Sequence, residues 1–385
     1  MGEGDGGAGG RGLYNAGVGT RRGRGTAGLW ARYIFFGTWA LSTGGLGWLA
    51  LRGRHAFDSP ATVPTLLVLL ACTAALLCWL ASTAPKLPTH EAPTQRGRFA
   101  LLVGFAVIVL FSLRTLVGPP LLFALPVLSL VVLAVARPPV CRKEVWYALA
   151  LALVAGVAGL AAGWVSFPPV AWAGLQVALV LPGLLTGWGL LRRAGLLEAR
   201  LGHSLLVTDG PVEALRGFAK GMLIATPWAL GAVVLGAASS EAWVERWWHP
   251  LVAIQPGIAE EAWGRVLLVP LLFLAFRPAA RSRAALTAAV VVLAYWFAYL
   301  HTRGGIEGLI STAMIGTLFA LPTSYVWLRR GLETAIGWHF WLDFVKFVAA
   351  YALNRGLWPG GGRLLSEPVR HLRGGAWPHS QHEAR

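Results

Sequence analysis

Apolar residues fall in long blocks separated by short polar and Arg-rich connections, without the alternation of half-buried strands. Blocks of about 17–25 residues, long enough to cross a bilayer, lie near 30–51, 61–83, 99–117, 119–136, 146–165, 168–191, 217–239, 256–276, 284–302, 306–328 and 332–353. They predict an all-α, polytopic transmembrane helix bundle of roughly ten or eleven helices, with 99–136 the least sharply divided pair. Lipid offers the backbone no hydrogen bonds, so a chain of such blocks must satisfy its own within helices.

Composition agrees with this reading. Of 385 residues 56% are hydrophobic and 13% charged, far from the balance of a soluble domain. The formal charge of +16 would suggest nucleic acid in a soluble protein. Here the arginines sit between apolar blocks, where they set orientation, so no nucleic-acid partner is expected. Residues 1–28 are Gly- and Arg-rich and predict a disordered basic leader with its amino end in the cytoplasm. Lys86, Arg96, Arg98, Arg137, Arg142, Lys143, Arg192, Arg193, Arg200, Arg216 and Lys220 then fall on the same side. The connection before Pro256 carries Glu241, Glu245 and Arg246 with Trp243, Trp247 and Trp248, an outer interfacial belt. Residues 29–250 form an amino-terminal bundle in which the spans show no polar constellation. Residues 354–385 read as a disordered basic tail, whose arginines fit poorly with an outer location. The three cysteines follow no metal or redox spacing.

Chemistry concentrates in residues 251–353. The block beginning at Pro256 opens with Glu260, Glu261 and Arg265. An ionised group in a bilayer costs at least about 2.5–3.5 kcal/mol, so such a group marks a functional site by default. Glu261 and Arg265 are i, i+4 neighbours and can pair, whereas Glu260 lies about 100° round the helix and is left free. The next block runs back and ends in Phe297 and His301. An antiparallel hairpin brings His301 to the depth of Glu260. Taken alone, His301 reads as an interfacial helix cap beside Arg303. The last block supplies His339 and Asp343, again i, i+4, which alone would read as a satisfied pair.

Together, EExxxR (Glu260, Glu261, Arg265), FxxxH (Phe297, His301) and HxxxD (His339, Asp343) resemble, in order and spacing, the motifs of the CPBP intramembrane proteases. That family includes the CAAX-processing endopeptidases and proteins described as bacteriocin self-immunity factors. The resemblance covers about residues 250 to 350. It implies an integral protein of the bacterial inner (cell) membrane that hydrolyses a peptide bond by a glutamate-activated water. Glu260 and His301 would activate the water and His339 and Asp343 would stabilise the oxyanion, while Glu261 and Arg265 hold the site in shape. Asp343 departs from the commoner Asn of this motif. An ionised Asp would repel an oxyanion, so it must be protonated, orient His339 or bind something else.

The expected partner is a membrane protein or lipid-anchored peptide, and relatives that look like this include sortase-like processors of carboxy-terminal anchoring tails such as myxosortases. No cofactor is expected. The alternative metalloprotease reading would take Glu260, His301 and His339 as zinc ligands, though no HExxH helix preorganises them. A non-catalytic docking or immunity protein and a proton-coupled transporter are the other classes.

One geometric difficulty follows from the block pattern. If 306–328 crosses fully, His339 enters from the inner face only about 9–10 Å deep, short of Glu260. Either that segment is bent around Gly304, Gly305 and Pro322, or the last helix begins deep.

Overall fold

A computed structural model describes residues 62–82, 95–117, 121–137, 139–162, 167–302 and 305–357. The expected leader, the block at 30–51, Lys86, Arg303 and the tail beyond 357 lie outside the described residues. Among the described residues the fold is all-α, with no strand. The helices are α1 (Thr62–Ser82), α2 (Arg96–Val117), α3 (Leu121–Ala136), α4 (Arg142–Gly159), α5 (Pro169–Arg193), the short α6 (Leu205–Thr208) and α7 (Pro211–Val234). Then come α8 (Ile254–Glu261), which continues through a π-helical turn (Ala262–Leu267) into α9 (Leu268–Phe276), and α10 (Ser282–Leu300). The chain closes with α11 (Gly305–Ile315), a second π turn (Gly316–Ala320), α12 (Leu321–Arg330) and α13 (Leu332–Asn354).

Five helices are long and apolar enough to cross a membrane: Arg96–Leu113, Pro169–Arg193, Pro211–Val234, Ser282–Leu300 and Gly308–Arg330. Two shorter apolar helices cover Pro64–Leu77 and Phe123–Ala136. The helix running from Ile254 to Phe276 and α13 are less apolar for a local reason. The first carries Glu260, Glu261 and Arg265 and the second Glu333, Asp343 and Lys346.

Helix pairs in this bundle approach through small residues, since dispersion rather than water exclusion drives packing between helices in lipid. A Cβ built on Gly221 of α7 would lie 2.1 Å from the Thr334 carbonyl oxygen, and one on Gly337 of α13 would lie 2.1 Å from that of Phe218. The backbones of α7 and α13 therefore touch. Gly187 of α5 makes the same kind of contact with the π turn, where a Cβ would meet the Val266 oxygen at 2.3 Å. The site helix is thus wedged between α5 and α13.

The amino-terminal helices make polar contacts, although their blocks hold no polar constellation. Glu144 of α4 is buried and pairs with Arg192 of α5 at 2.5 Å. Gln176, deep in α5, accepts from the Gln255 amide of α8 at 2.8 Å, and both side chains are buried. Glu144 and Arg192 sit at block ends, where they read as loop charges, and a single Gln in an apolar run carries no signal of its partner.

The last helix starts at a corner that is tied to the rest of the bundle. The corner is covered by protein: Gly202 N–H donates to Leu328 O at 3.0 Å and Leu332 N–H to His203 O at 2.9 Å. Glu333, buried in the first turn of α13, accepts from Ser204 Oγ (2.6 Å), Leu205 N–H (2.8 Å) and Leu206 N–H (3.0 Å). Irregular backbone away from bulk water is tolerated where protein satisfies it in this way.

Within this cover, burial pushes the His203 imidazole below its ordinary range, while its bond to Arg200 O pulls the other way. A histidine depressed in the folded state binds its proton more readily when unfolded. Stability is therefore full above the ordinary histidine pKa, near 6.5, and falls as pH drops through it. Melting in detergent between pH 7.5 and 5.5 should show this loss, and His203→Gln should flatten it. An unchanged slope in the variant would remove His203 from the account.

Candidate active site

The two motif glutamates part ways at the end of α8. Glu261 points into the bundle with no solvent exposure, and its Oε1 accepts from Arg265 Nη1 at 2.7 Å. Arg265 comes from the π turn and touches two other groups. Its Nε reaches Ser324 Oγ at 3.4 Å, and its guanidinium lies 4.6 Å from the centre of the Phe297 ring. Glu261 Oε1 also receives His339 Nδ1 at 2.9 Å. A carboxylate can only accept, so Nδ1 is the protonated nitrogen and Nε2 is turned the other way. π turns within α-helices recur at functional sites, and this one follows the glutamate pair directly.

Glu260 occupies the open side. Its Oε1 is 3.7 Å from His301 Nε2 and its Oε2 is 3.5 Å from His339 Nε2. Glu260 Oε2 is buried and has no hydrogen-bond partner. His301 caps α10, and its Nδ1 lies 2.9 Å from Phe297 O. That carbonyl fixes the tautomer: Nδ1 donates and a neutral ring presents Nε2 as an acceptor. The separations are too long for strong direct bonds. Two polar atoms about 3.6 Å apart can, however, share one water at about 2.8 Å from each. Side-chain exposure rises from 0% at Glu261 through 13% at His339 and 22% at Glu260 to 43% at His301. The cluster is sealed at the arginine and open at His301.

Asp343 completes the group, its Oδ2 3.6 Å from His339 Nε2. Its other oxygen binds Lys346 Nζ at 3.0 Å, and Lys346 reaches Glu241 at 3.1 Å in the connection before α8. Asp343 thus faces both His339 and Lys346. Lys346 was legible as an i, i+3 neighbour, whereas Glu241 and Ser324 arrive from distant segments with no sequence signal. Removing the cation while leaving the acid should cost about 1.5–3 kcal/mol, the worth of a charged hydrogen bond. Lys346→Met is thus expected to lower the detergent melting temperature, and adding Asp343→Asn with Glu241→Gln should restore most of it, because neither amide needs a cation. A triple variant as unstable as the single one would show that Lys346 acts elsewhere.

The six ionisable motif residues therefore meet: Glu260, Glu261, Arg265, His301, His339 and Asp343 form one connected cluster, with Phe297 against Arg265 and His301. Among the described residues no three His, Cys, Asp or Glu side chains are grouped as a metal site. His339 spends Nδ1 on Glu261, which leaves Nε2 as its only nitrogen for Glu260 or any ligand. Comparison with models of known families, with characterised proteins and with solved structures finds no match.

Proposed function

We propose that this chain is an intramembrane endopeptidase that hydrolyses a peptide bond of a membrane-associated substrate. The observation that carries the reading is the Glu260 carboxylate bracketed by two imidazole Nε2 atoms at 3.7 and 3.5 Å. Its resemblance to the CPBP proteases in motif order supports the same assignment. A water held between Glu260 and His301 loses a proton to this pair as its oxygen attacks the scissile carbonyl carbon. The C=O bond becomes a C–O⁻ bond, and the oxyanion takes the place beside His339. His339 donates from Nε2 when the ring is cationic, and Glu260 and Asp343 on either side compensate that charge. The proton taken from water then passes to the leaving amine as the C–N bond breaks. General acid–base catalysis of this kind contributes about 10²–10⁴-fold, and one aimed oxyanion donor about 2.7–4 kcal/mol.

In this reading the chain spans the bacterial inner membrane roughly ten or eleven times, with its amino end cytoplasmic and the site nearer the outer face. The substrate class is a membrane protein or lipid-anchored peptide, and carboxy-terminal anchoring tails are the first to test. Purified protein in detergent should cleave such a tail peptide, and His301→Ala should abolish cleavage. The wild type should be indifferent to a zinc chelator. Loss of activity with chelator would move the chemistry to a metalloprotease using Glu260, His301 and His339. Cleavage by the His301 variant at the wild-type rate would favour a non-catalytic docking or immunity role.

A further inference from the structure

Away from the glutamates, the inner ends of α10 and α12 hold an arginine cluster that the proposed hydrolysis does not use. These helices run antiparallel and are registered by the hydrogen bond between Tyr295 of α10 and Thr317 of the π turn that leads into α12, at 2.8 Å. Toward the same end each helix carries an arginine: Arg283 is twelve residues before Tyr295 and Arg329 twelve residues after Thr317. No acid lies in residues 277–283 or 321–332. Arg329 Nε and Nη1 are buried and have no hydrogen-bond partner, and Arg330 Nε is in the same state. Arg330 lays its guanidinium over the Trp79 ring at 4.2 Å.

Buried donors on a guanidinium are costly to leave unpaired, and two arginines repel one another unless an anion joins them. Arginine forks match the paired oxygens of carboxylates and phosphates, and at a membrane surface the abundant anion of that shape is the lipid phosphate. The position decides the source of that phosphate. Arg283 is the second residue of the candidate span Ser282–Leu300, and Arg329 is the last but one of Gly308–Arg330. Both therefore stand at one membrane boundary, the level at which lipid phosphates lie. We infer that Arg283 and Arg329 form a binding site for the phosphate headgroup of an anionic phospholipid, with Arg330 held beside it on Trp79.

The test is a thermal melt of the full-length protein in neutral detergent and phosphate-free buffer. Dioleoyl phosphatidylglycerol, dioleoyl phosphatidylcholine and inorganic phosphate are titrated separately. Phosphatidylglycerol should raise the melting temperature saturably, and phosphatidylcholine should not. Arg283→Gln with Arg329→Gln should weaken the phosphatidylglycerol effect by about tenfold or more in midpoint. Arg355→Gln at the opposite end of α13 should leave it unchanged. An equal response in the double variant, or an equal response to phosphatidylcholine, would overturn the site. A full response to millimolar inorganic phosphate would keep the arginines but overturn the lipid as their ligand. If the double variant does not fold, native mass spectrometry of Arg329→Gln beside the wild type decides. Equal retention of phosphatidylglycerol by both proteins counts against the site.

Discussion

Replacing Glu260 by Gln is expected to cut cleavage of a tail substrate by about 10²–10⁴-fold, the worth of a positioned general base. The amide has nearly the same shape and keeps an acceptor near both imidazoles, so binding and fold should persist while the proton acceptor is gone. The fall should therefore appear in kcat, with KM and melting temperature close to wild type. His301→Ala should give a loss of similar size. Because the two act on one water, the double variant should be little worse than either single one. A Glu260→Gln protein that cleaves at the wild-type rate ends the glutamate mechanism, whatever the chelator does.

The largest effect on stability is expected at Arg265. Glu261 has no exposure, and Arg265 is the one cation among its neighbours that carries charge at every pH in ordinary use. Arg265→Met leaves the Glu261 carboxylate buried beside His339 alone, and breaking a buried pair from one side costs about 3–5 kcal/mol. The detergent melt should drop accordingly. Changing both partners, Glu261→Leu with Arg265→Met, should recover most of the loss, since an apolar pair of similar volume carries no stranded charge. If the double variant melts as low as the single one, the pair is not what holds α8, α10 and α12 together. In that case the Phe297 contact takes over the explanation.

These two experiments probe residues whose pairing was legible before any coordinates. The i, i+4 spacing of Glu261 and Arg265 predicts their bond, and the hairpin from Glu260 to His301 predicts their approach. The described block boundaries also fall within a few residues of the helices, except at 146–165 and 217–239, where observed α4 and α7 begin four and six residues earlier. Apolar composition locates a core span well, but caps such as Pro211 and the charged first turn of α4 extend a helix beyond it. What the sequence could not supply was the corner at the start of α13. Residues 202–206 close over it from a segment more than a hundred positions away. The π turns were equally silent, since Gly264 and Gly316 lie in them but glycine is common throughout the chain.

The backbone contact between α7 and α13 has a mechanical consequence. Side chains between helices act as compliant spacers that can change rotamer, but where Gly221 and Gly337 bring main chain against main chain there is nothing to yield. His339 and Asp343 are mounted on that stiff member, and His301 terminates a helix on the other, solvent-open side of Glu260. If the proposed function holds, adjustment to a polypeptide substrate must be taken up by the His301 side, with His339 and Asp343 serving as the fixed jaw of a vice.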